Sequence, residues 1–569
     1  MTPYVLVHRC NIRCAGTTWD YIFIGGGLAG SVVASRLSQL DSSLKVLVIE
    51  AGPNANNEPN IVWSSSTNLI GGDFDWEDST VSQRHLDGRK IGLATGKALG
   101  GGTVINGGGW VRGRKFDFDL WGSLVQDKRW TYEGQLLFMQ KSERCWNGTS
   151  NLEQHGSTGP VPIQSVTSTK REFPLRKHTL DSWKELGFHE LPHLDGNAGD
   201  PLGIAELQEG RDSGRRVISA AVYSLESVTV LTNTLVEKIL IEKQAAGNDR
   251  LKAVGVRLAD STEIHGREII LAAGALRSPQ ILLRSGIGPA TDLNELDIPV
   301  LLDQPEVGRN LADHSMLFTA WKVKDSAGGW ALGSPNPLFS QPQYGWGHPF
   351  DFLVCSDVAK KGLAAAIAGD EGGVVPDPAT HPLLAYSRIF IEYIFMLAGA
   401  PDGSLVTFGA APMLPTARGT IKFASANCSD PPLIDPNYLG TAVDRYVARE
   451  AVKMQIKFAG SNATVVGREI LDGEAGAPGV DGVLSVDSTD DYIDARIRAG
   501  LGTCQHPMGS LSMGKVVDVD LRVKGVDSLR VVDASVFPVV LTGHIQAAVY
   551  ALAEQAAGII YADRLNFTK

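Results

Sequence analysis

Two histidines near the C-terminus carry side chains suited to proton chemistry: His506 in CQHPMGSLSMG and His544 in LTGHIQAAVYALAEQAA. Imidazole exchanges protons near neutral pH, so a pair of them suits general acid–base work. Each falls on a predicted turn rather than an apolar face. On their own, two such histidines serve structure more often than catalysis. A second constellation lies at the other end of the chain. In Trp19–Gly52 the apolar run Tyr21–Ile24 leads into Gly25, Gly27 and Gly30, spaced G-x-G-x-x-G. A helical pattern opens with Leu28 and Ala29 and can place Val32, Val33, Leu37 and Leu40 on one face. The buried-strand run Val46–Ile49 then ends at Glu50-Ala51. Glycines let the backbone turn tightly and approach a pyrophosphate, and a helix N-terminus offers it free N–H groups and a positive dipole. Glu50, twenty residues after Gly30, is placed to accept hydrogen bonds from an adenosine ribose. The pattern predicts a dinucleotide site without distinguishing NAD from FAD.

Other elements must position these groups. Gly96–Asp119 is so rich in glycine that it reads as backbone lying against a flat ligand, with Thr103 and Asn106 offering polar side chains, Gly107 and Gly108 bare backbone, and Trp110 an apolar face. Leu120–Cys145 reads as helical and amphipathic, and Glu172–Phe188 as helical. The cluster Arg211, Arg215 and Arg216 reads as a solvated face. Val228–Ile241, which includes Val236, reads as strand material, as do Leu251–Leu258 and Glu268–Ala272. Ser278-Pro279 is expected to start a helix, serine capping and proline in the first turn. From Ser315 to Arg498 the pattern turns to antiparallel strands with helices and scattered aromatics. Leu529–Asp533 reads as strand then acid, and Ile545–Tyr561 as a long apolar helix.

With 569 residues the chain is too long for one core. A hydrophobic share of 43% and a charged share of 20% describe an ordinary globular protein. The net charge of −11 speaks against nucleic acid as a partner, and no run reaches the length of a membrane span. The six cysteines show neither a zinc pattern (Cys10-x3-Cys14 lacks a second pair) nor a disulfide framework. Met1–Gly16 makes a poor signal peptide, whereas four N-x-S/T sequons, at Asn147, Asn427, Asn462 and Asn566, allow a secreted glycoprotein, so the compartment stays open.

Taken in order, five motifs resemble the glucose–methanol–choline (GMC) oxidoreductases, flavoenzymes that oxidise alcohols. They are the Gly25–Gly30 turn with Glu50, the glycine-rich Gly96–Asp119, Gly274–Gly288, VGRNLADH at Val307–His314, and the segments around His506 and His544. The glycine-rich stretch is most similar to the glucose oxidase-like branch, with fungal secondary-metabolite enzymes close by. The resemblance implies an α/β FAD-binding domain (Rossmann-like, of glutathione-reductase type) plus an α+β substrate-binding domain with an antiparallel sheet. It divides the chain into a discontinuous FAD domain of residues 18–160, 205–314 and 500–565, a substrate domain of 161–204 and 315–499, and a leader or tail of 1–17. It also implies that His506 takes the hydroxyl proton while a hydride passes to flavin N5, with His544 steadying the alkoxide. Glu50 would hold the ribose, Thr103–Gly108 with Asn106 the isoalloxazine and ribityl chain, and Val236 would lie in the strand that meets adenine. Asp533-Ala534 would lie near the pyrophosphate and ribityl hydroxyls, and Gln546 beside the flavin. Because Gly96–Asp119 contains no histidine, the FAD is expected to be non-covalent. The expected partners are a small-molecule alcohol and oxygen or another electron acceptor; a homodimer is compatible with the family. One alternative keeps the flavin but uses the same histidines in a non-redox cyclisation or dehydration of secondary metabolism. The aromatics between Trp330 and Phe390 incline the reading toward an apolar or aromatic alcohol.

Overall fold

The computed structural model describes residues 18–62, 69–145, 153–244 and 250–567. Cys10, Cys14, the N-terminal leader segment and the Asn147 sequon lie outside the described residues. The first sheet comprises β1 (Trp19–Ile24), β2 (Val46–Ile49), β3 (Thr229–Leu231), β4 (Val236–Lys243), β5 (Leu251–Leu258), β6 (Glu263–Leu271), β7 (Val526–Asp527) and β8 (Leu529–Val531). Its order is β3–β2–β1–β6–β5–β4, with β8 beside β6 and β7 beside β5. The β3, β2, β1, β6 and β8 pairings are parallel, as strands buried on both faces require, while β4–β5–β6 is an antiparallel meander.

A second, antiparallel sheet runs in the order 471–474, 315–323, 405–412, 391–399, 352–356 and 203–206. The strand Gly203–Glu206 straddles the 204/205 boundary drawn from sequence. An aromatic core lies against this sheet: the buried Trp183 ring has its centroid 4.5 Å from Phe458, 5.0 Å from Phe188 and 5.4 Å from Tyr393. The architecture is thus a parallel-centred α/β unit beside an antiparallel α+β unit. Among the described residues no helix is long and apolar enough to cross a membrane. The four cysteines in the described residues are free.

Helix α1 (Leu28–Leu40) follows β1 and packs on α2 (Gln546–Phe567), so the first and last helices among the described residues are neighbours. Val32, Val33 and Leu37 are fully buried as the face predicted, whereas Leu40, at the frayed end, is 49% exposed. The α1–α2 contact carries a polar clamp. Glu554 of α2, fully buried, accepts from Arg36 (2.6 Å), Tyr223 (2.9 Å) and Lys141 (2.9 Å).

Local expectations fail at three places. Leu120–Cys145 is two helices, Lys115–Val125 and Tyr132–Ser142, followed by a short strand. The break comes at Gln126, which turns left-handed (φ +55°) to close the first helix, and at Thr131, whose hydroxyl caps the second through the Gly134 N–H. The helix expected from Ser278-Pro279 begins at Gly274. Pro279 therefore sits inside it and cannot donate to the Ala275 carbonyl; the Ser510 hydroxyl takes that carbonyl instead, at 2.6 Å. Ser278 does not cap: its Oγ donates to Asp533. Finally, Arg211 and Arg216 are buried at 2% and 5% exposure rather than solvated.

The β1–α1 turn separates two kinds of glycine. Gly25 (φ +102°) and Gly30 are forced by the protein itself: a Cβ on Gly25 would lie 2.5 Å from the Ala272 carbonyl, and one on Gly30 2.1 Å from the Gly25 carbonyl. A Cβ on Gly27 would meet nothing closer than 3.8 Å. Gly30→Ala should accordingly destabilise the free protein by about 3 kcal/mol, as overpacking against backbone does. Gly27→Ala should leave its denaturant midpoint unchanged. Equal midpoints for the two variants would contradict the turn geometry.

Candidate active site

His506 and His544 come from separate loops, yet their ring centroids stand 5.1 Å apart. A buried aspartate pins each loop. Asp313 accepts from the His506 N–H (2.7 Å) and from the hydroxyls of Thr503 and Tyr438. Asp117 accepts from the Thr542 N–H (3.0 Å), from the Thr542 hydroxyl, and from Arg388 (3.0 Å). Gln505 adopts the left-handed region (φ +63°), which turns His506 off the strand pairing on either side of it.

The two imidazoles sit in opposed environments. Burial, with His544 and His314 nearby, pushes His506 well below the usual histidine range. Burial also opposes charge on His544, but the Glu392 carboxylate, 2.8 Å from its Nε2, more than offsets this and raises it. His544 Nδ1 lies over Gly109, where a Cβ would stand 2.5 Å away, and the Gly109 backbone also favours the cation. Both nitrogens of His544 therefore face protein groups. In this arrangement what the residue offers is charge beside Glu392.

Four site residues escaped the sequence reading. Glu392 sits in an otherwise apolar run and is a 1%-exposed carboxylate on the strand Ile391–Gly399. His314 ends the VGRNLADH motif, and its Nδ1 lies 3.0 Å from His506 Nδ1. Arg216 reaches the Asn106 carbonyl and, at 3.1 Å, its Oδ1, while Arg211 donates to the Gly107 carbonyl at 3.1 Å. Arg216 satisfies a carbonyl that the non-strand backbone would otherwise leave unpaired, and Arg211 shares the Gly107 carbonyl with His348, 2.9 Å away. Burial lowers Arg216 to about 9, with Arg211 adding to the shift. An arginine run alone gives no sign of such burial.

The predicted cofactor residues divide by what already engages them. Glu50 is 6% exposed, and its two oxygens accept from the Gly26 N–H (2.8 Å) and Gly52 N–H (2.9 Å). Burial raises it to about 7 against those bonds. Ala51 is half-buried beside it. The segment leading to Val236 runs alongside: the Thr234 N–H donates to the Glu50 carbonyl and the Asn233 N–H to that of Gly52, both at 2.9 Å. Leu28 and Ala29 form the first turn of α1, which has neither a capping side chain nor an acidic residue there. Thr103 departs from expectation. Its hydroxyl donates to the Gly100 carbonyl (2.6 Å) and accepts from the Ser219 N–H (3.0 Å), so it is spent on the protein's own backbone. Asn106 donates to the Gln546 side chain (3.0 Å), which in turn donates to the Gly109 carbonyl (2.6 Å), stitching the start of α2 to Gly107 and Gly108. The Asp533 carboxylate, next to Ala534, is taken up by the Gly274 N–H (2.9 Å), the Ser278 hydroxyl (2.6 Å) and the Ser535 N–H (2.8 Å).

These residues fit a dinucleotide. Gly27 and Gly102 leave room for a Cβ beside the uncapped α1 terminus, whereas Gly274, with as much space, is held to glycine by its φ of +81°, so glycine at Gly27 serves something other than the protein's own packing. The aromatics between Trp330 and Phe390, by contrast, are largely packing. Phe339 and Phe173 pack edge-on against the buried Tyr344, Trp346 covers Gly214, and Phe350 and Phe390 are buried, so aromatic content does not mark the substrate.

Comparison with known proteins bears on the same residues. The N-terminal GMC oxidoreductase family model matches residues 19–316 and the C-terminal one residues 415–553. The chain is 32% identical to a GMC-type oxidoreductase, acuG, of Aspergillus aculeatus over 96% of this chain and 99% of that one. It is 31% identical to an oxygen-dependent choline dehydrogenase of Burkholderia cenocepacia over 95% and 93%. Pyridoxine 4-oxidase from Mesorbium loti superposes with a TM-score of 0.76 at 28% identity, covering 95% of this chain and 99% of that one. A formate oxidase variant from Aspergillus oryzae shares the fold, with a TM-score of 0.84 at 24% identity over 97% and 99%. The chain belongs to the GMC oxidoreductase family, the FAD-dependent oxidoreductases acting on CH–OH groups.

Proposed function

We propose that the protein oxidises a small-molecule alcohol to its aldehyde or ketone, with His506 as the base. The observation that carries this reading is the opposed pair: Glu392, 2.8 Å from His544, favours charge on that ring while burial disfavours it on His506, which separates a base from an electrostatic partner. Bound FAD supplies the acceptor for the hydride. Neutral His506 takes the hydroxyl proton. His544, kept cationic by Glu392, stabilises the alkoxide that this leaves. Gly25–Gly30, the α1 terminus and Glu50 would hold the adenosine and pyrophosphate end, and Asn106–Gly109 with Gln546 the ring end. The proposed division into an FAD domain (18–160, 205–314, 500–565) and a substrate domain (161–204, 315–499) places both histidines on the FAD side, facing Glu392 from the other. Electrons pass on to oxygen or another acceptor, and measuring peroxide beside reduction of an artificial acceptor separates the two.

The direct test is an anaerobic screen of aryl, aliphatic, sugar and polyketide alcohols against the FAD-loaded protein. A turned-over alcohol should bleach the yellow flavin; product formed without bleaching would instead establish non-redox cyclase chemistry. Activity should require neutral His506 and protonated His544, so it should rise through a low acid limb and fall through an alkaline limb above the usual histidine range. Glu392→Gln removes the charge that raises His544. It should pull the alkaline limb to lower pH and cut turnover by about 10²-fold at pH 8. An unmoved alkaline limb would refute the role given to the pair.

A further inference from the structure

We propose that His314 is the positioning residue that sets the tautomer of His506, keeping the proton on His506 Nδ1 and leaving Nε2 bare for the substrate hydroxyl. This rests on the reading of His506 as base.

The geometry is specific. The two Nδ1 atoms lie 3.0 Å apart, with the rings perpendicular (90°) and centroids 5.2 Å apart. At that distance one nitrogen must donate and the other accept. Backbone pairing holds the rings in register on both flanks of His506: the Cys504 N–H donates to the His314 carbonyl (2.8 Å), and Ala312 and Met508 exchange N–H bonds at 3.0 and 2.9 Å. The preceding residue, Asp313, already fixes the His506 backbone, so one dipeptide addresses both the backbone and the ring.

Two arrangements satisfy the contact. If His314 donated, neutral His506 would carry its proton on Nε2 and could not act as a base from that atom. If His506 donates, Nε2 is bare and His314 must hold its own proton on its Nε2. The protein side of His314 favours the second. Its ring is fully buried, its Nε2 meets no partner at hydrogen-bond distance, and the Met413 backbone beside it favours a proton on the ring. Burial, with His544 adding to it, lowers His314 to about 3, so it stays neutral. The nearby carboxylate cannot change this, because Asp313 is taken up by His506 N–H, Thr503 and Tyr438. The other titratable groups facing the pair are His544, with Glu392 behind it, and the Cys504 thiol, which burial raises well above its usual range. A neutral acceptor orients the base in both protonation states without strengthening it, whereas a carboxylate in that place would also hold the proton.

The test uses the full-length, FAD-loaded protein labelled with ¹⁵N-histidine, the His506 signals being assigned by their loss in His506→Gln. The wild type should show His506 protonated at Nδ1 and bare at Nε2. His314→Asn keeps an acceptor oxygen near the Nδ1 position and should preserve that tautomer. His314→Leu should shift it toward Nε2–H and slow anaerobic flavin reduction at least tenfold, with KM and FAD content little changed. His314→Asp should raise the His506 pKa and move the acid limb of kcat/KM to higher pH. A wild-type His506 protonated at Nε2, or His314→Leu with an unchanged tautomer and rate, would overturn the proposal. If His314→Leu fails to retain FAD, the wild-type tautomer and the His314→Asp limb still decide. Wild-type turnover in His506→Gln would sink the base reading separately, since the tautomer is read without activity.

Discussion

Everything else in the structure serves a row of hydrogen-bonded side chains, Glu392–His544 facing His506–His314. Its members come from four distant stretches of chain, and its value lies in asymmetry. A carboxylate at one end, 2.8 Å from His544, outweighs burial and favours the charged form of that ring. A neutral imidazole at the other gives His506 a partner without giving it charge. Neither condition survives in water, where both rings would titrate near their ordinary pKa. Burial supplies the difference, and two further buried carboxylates, Asp117 and Asp313, hold the loops so that the rings cannot drift apart.

Bringing this row to the dinucleotide turn requires closing a long chain. Strand β8 pairs beside β6 in parallel, which sets Asp533 against the Gly274 turn. Helix α2 then returns across α1, and its first residue, Gln546, reaches Asn106 and Gly109. The Arg36–Glu554–Tyr223 clamp marks the α1–α2 contact. Buried ion pairs add little net stability once desolvation is counted, so its contribution is register rather than strength. A one-turn slip of α2 would leave Glu554 buried and unpaired, at a cost of several kcal/mol.

What could be read from the sequence was what local rules determine. The Gly25–Gly30 turn, the buried α1 face and the Glu50 position follow from strand and helix periodicity over a few dozen residues, and the order of motifs supplied the family. Features that need a tertiary neighbour were not legible. Glu392 differs from any strand glutamate only because His544 arrives beside it. Arg211 and Arg216 read as a solvated cluster because nothing local shows that the carbonyls of Asn106 and Gly107 come to meet them. Thr103 looked like a ligand-facing hydroxyl, but Ser219 claims it from more than a hundred residues away. Ser278-Pro279 carried a helix-start signal that the fold overrides, since Ser510 relieves the carbonyl that the proline strands.

The most direct measurement of the central claim is the rate of anaerobic flavin reduction by a turned-over alcohol, followed across pH in the wild type and in His506→Ala. With His506 held neutral by burial, the wild-type rate should be flat through pH 6.5, with its acid limb below that value. The variant should retain FAD, lose the limb and fall by about 10²- to 10⁴-fold. A wild-type rate still climbing well above pH 6.5, or a variant as fast as the wild type, would contradict the account.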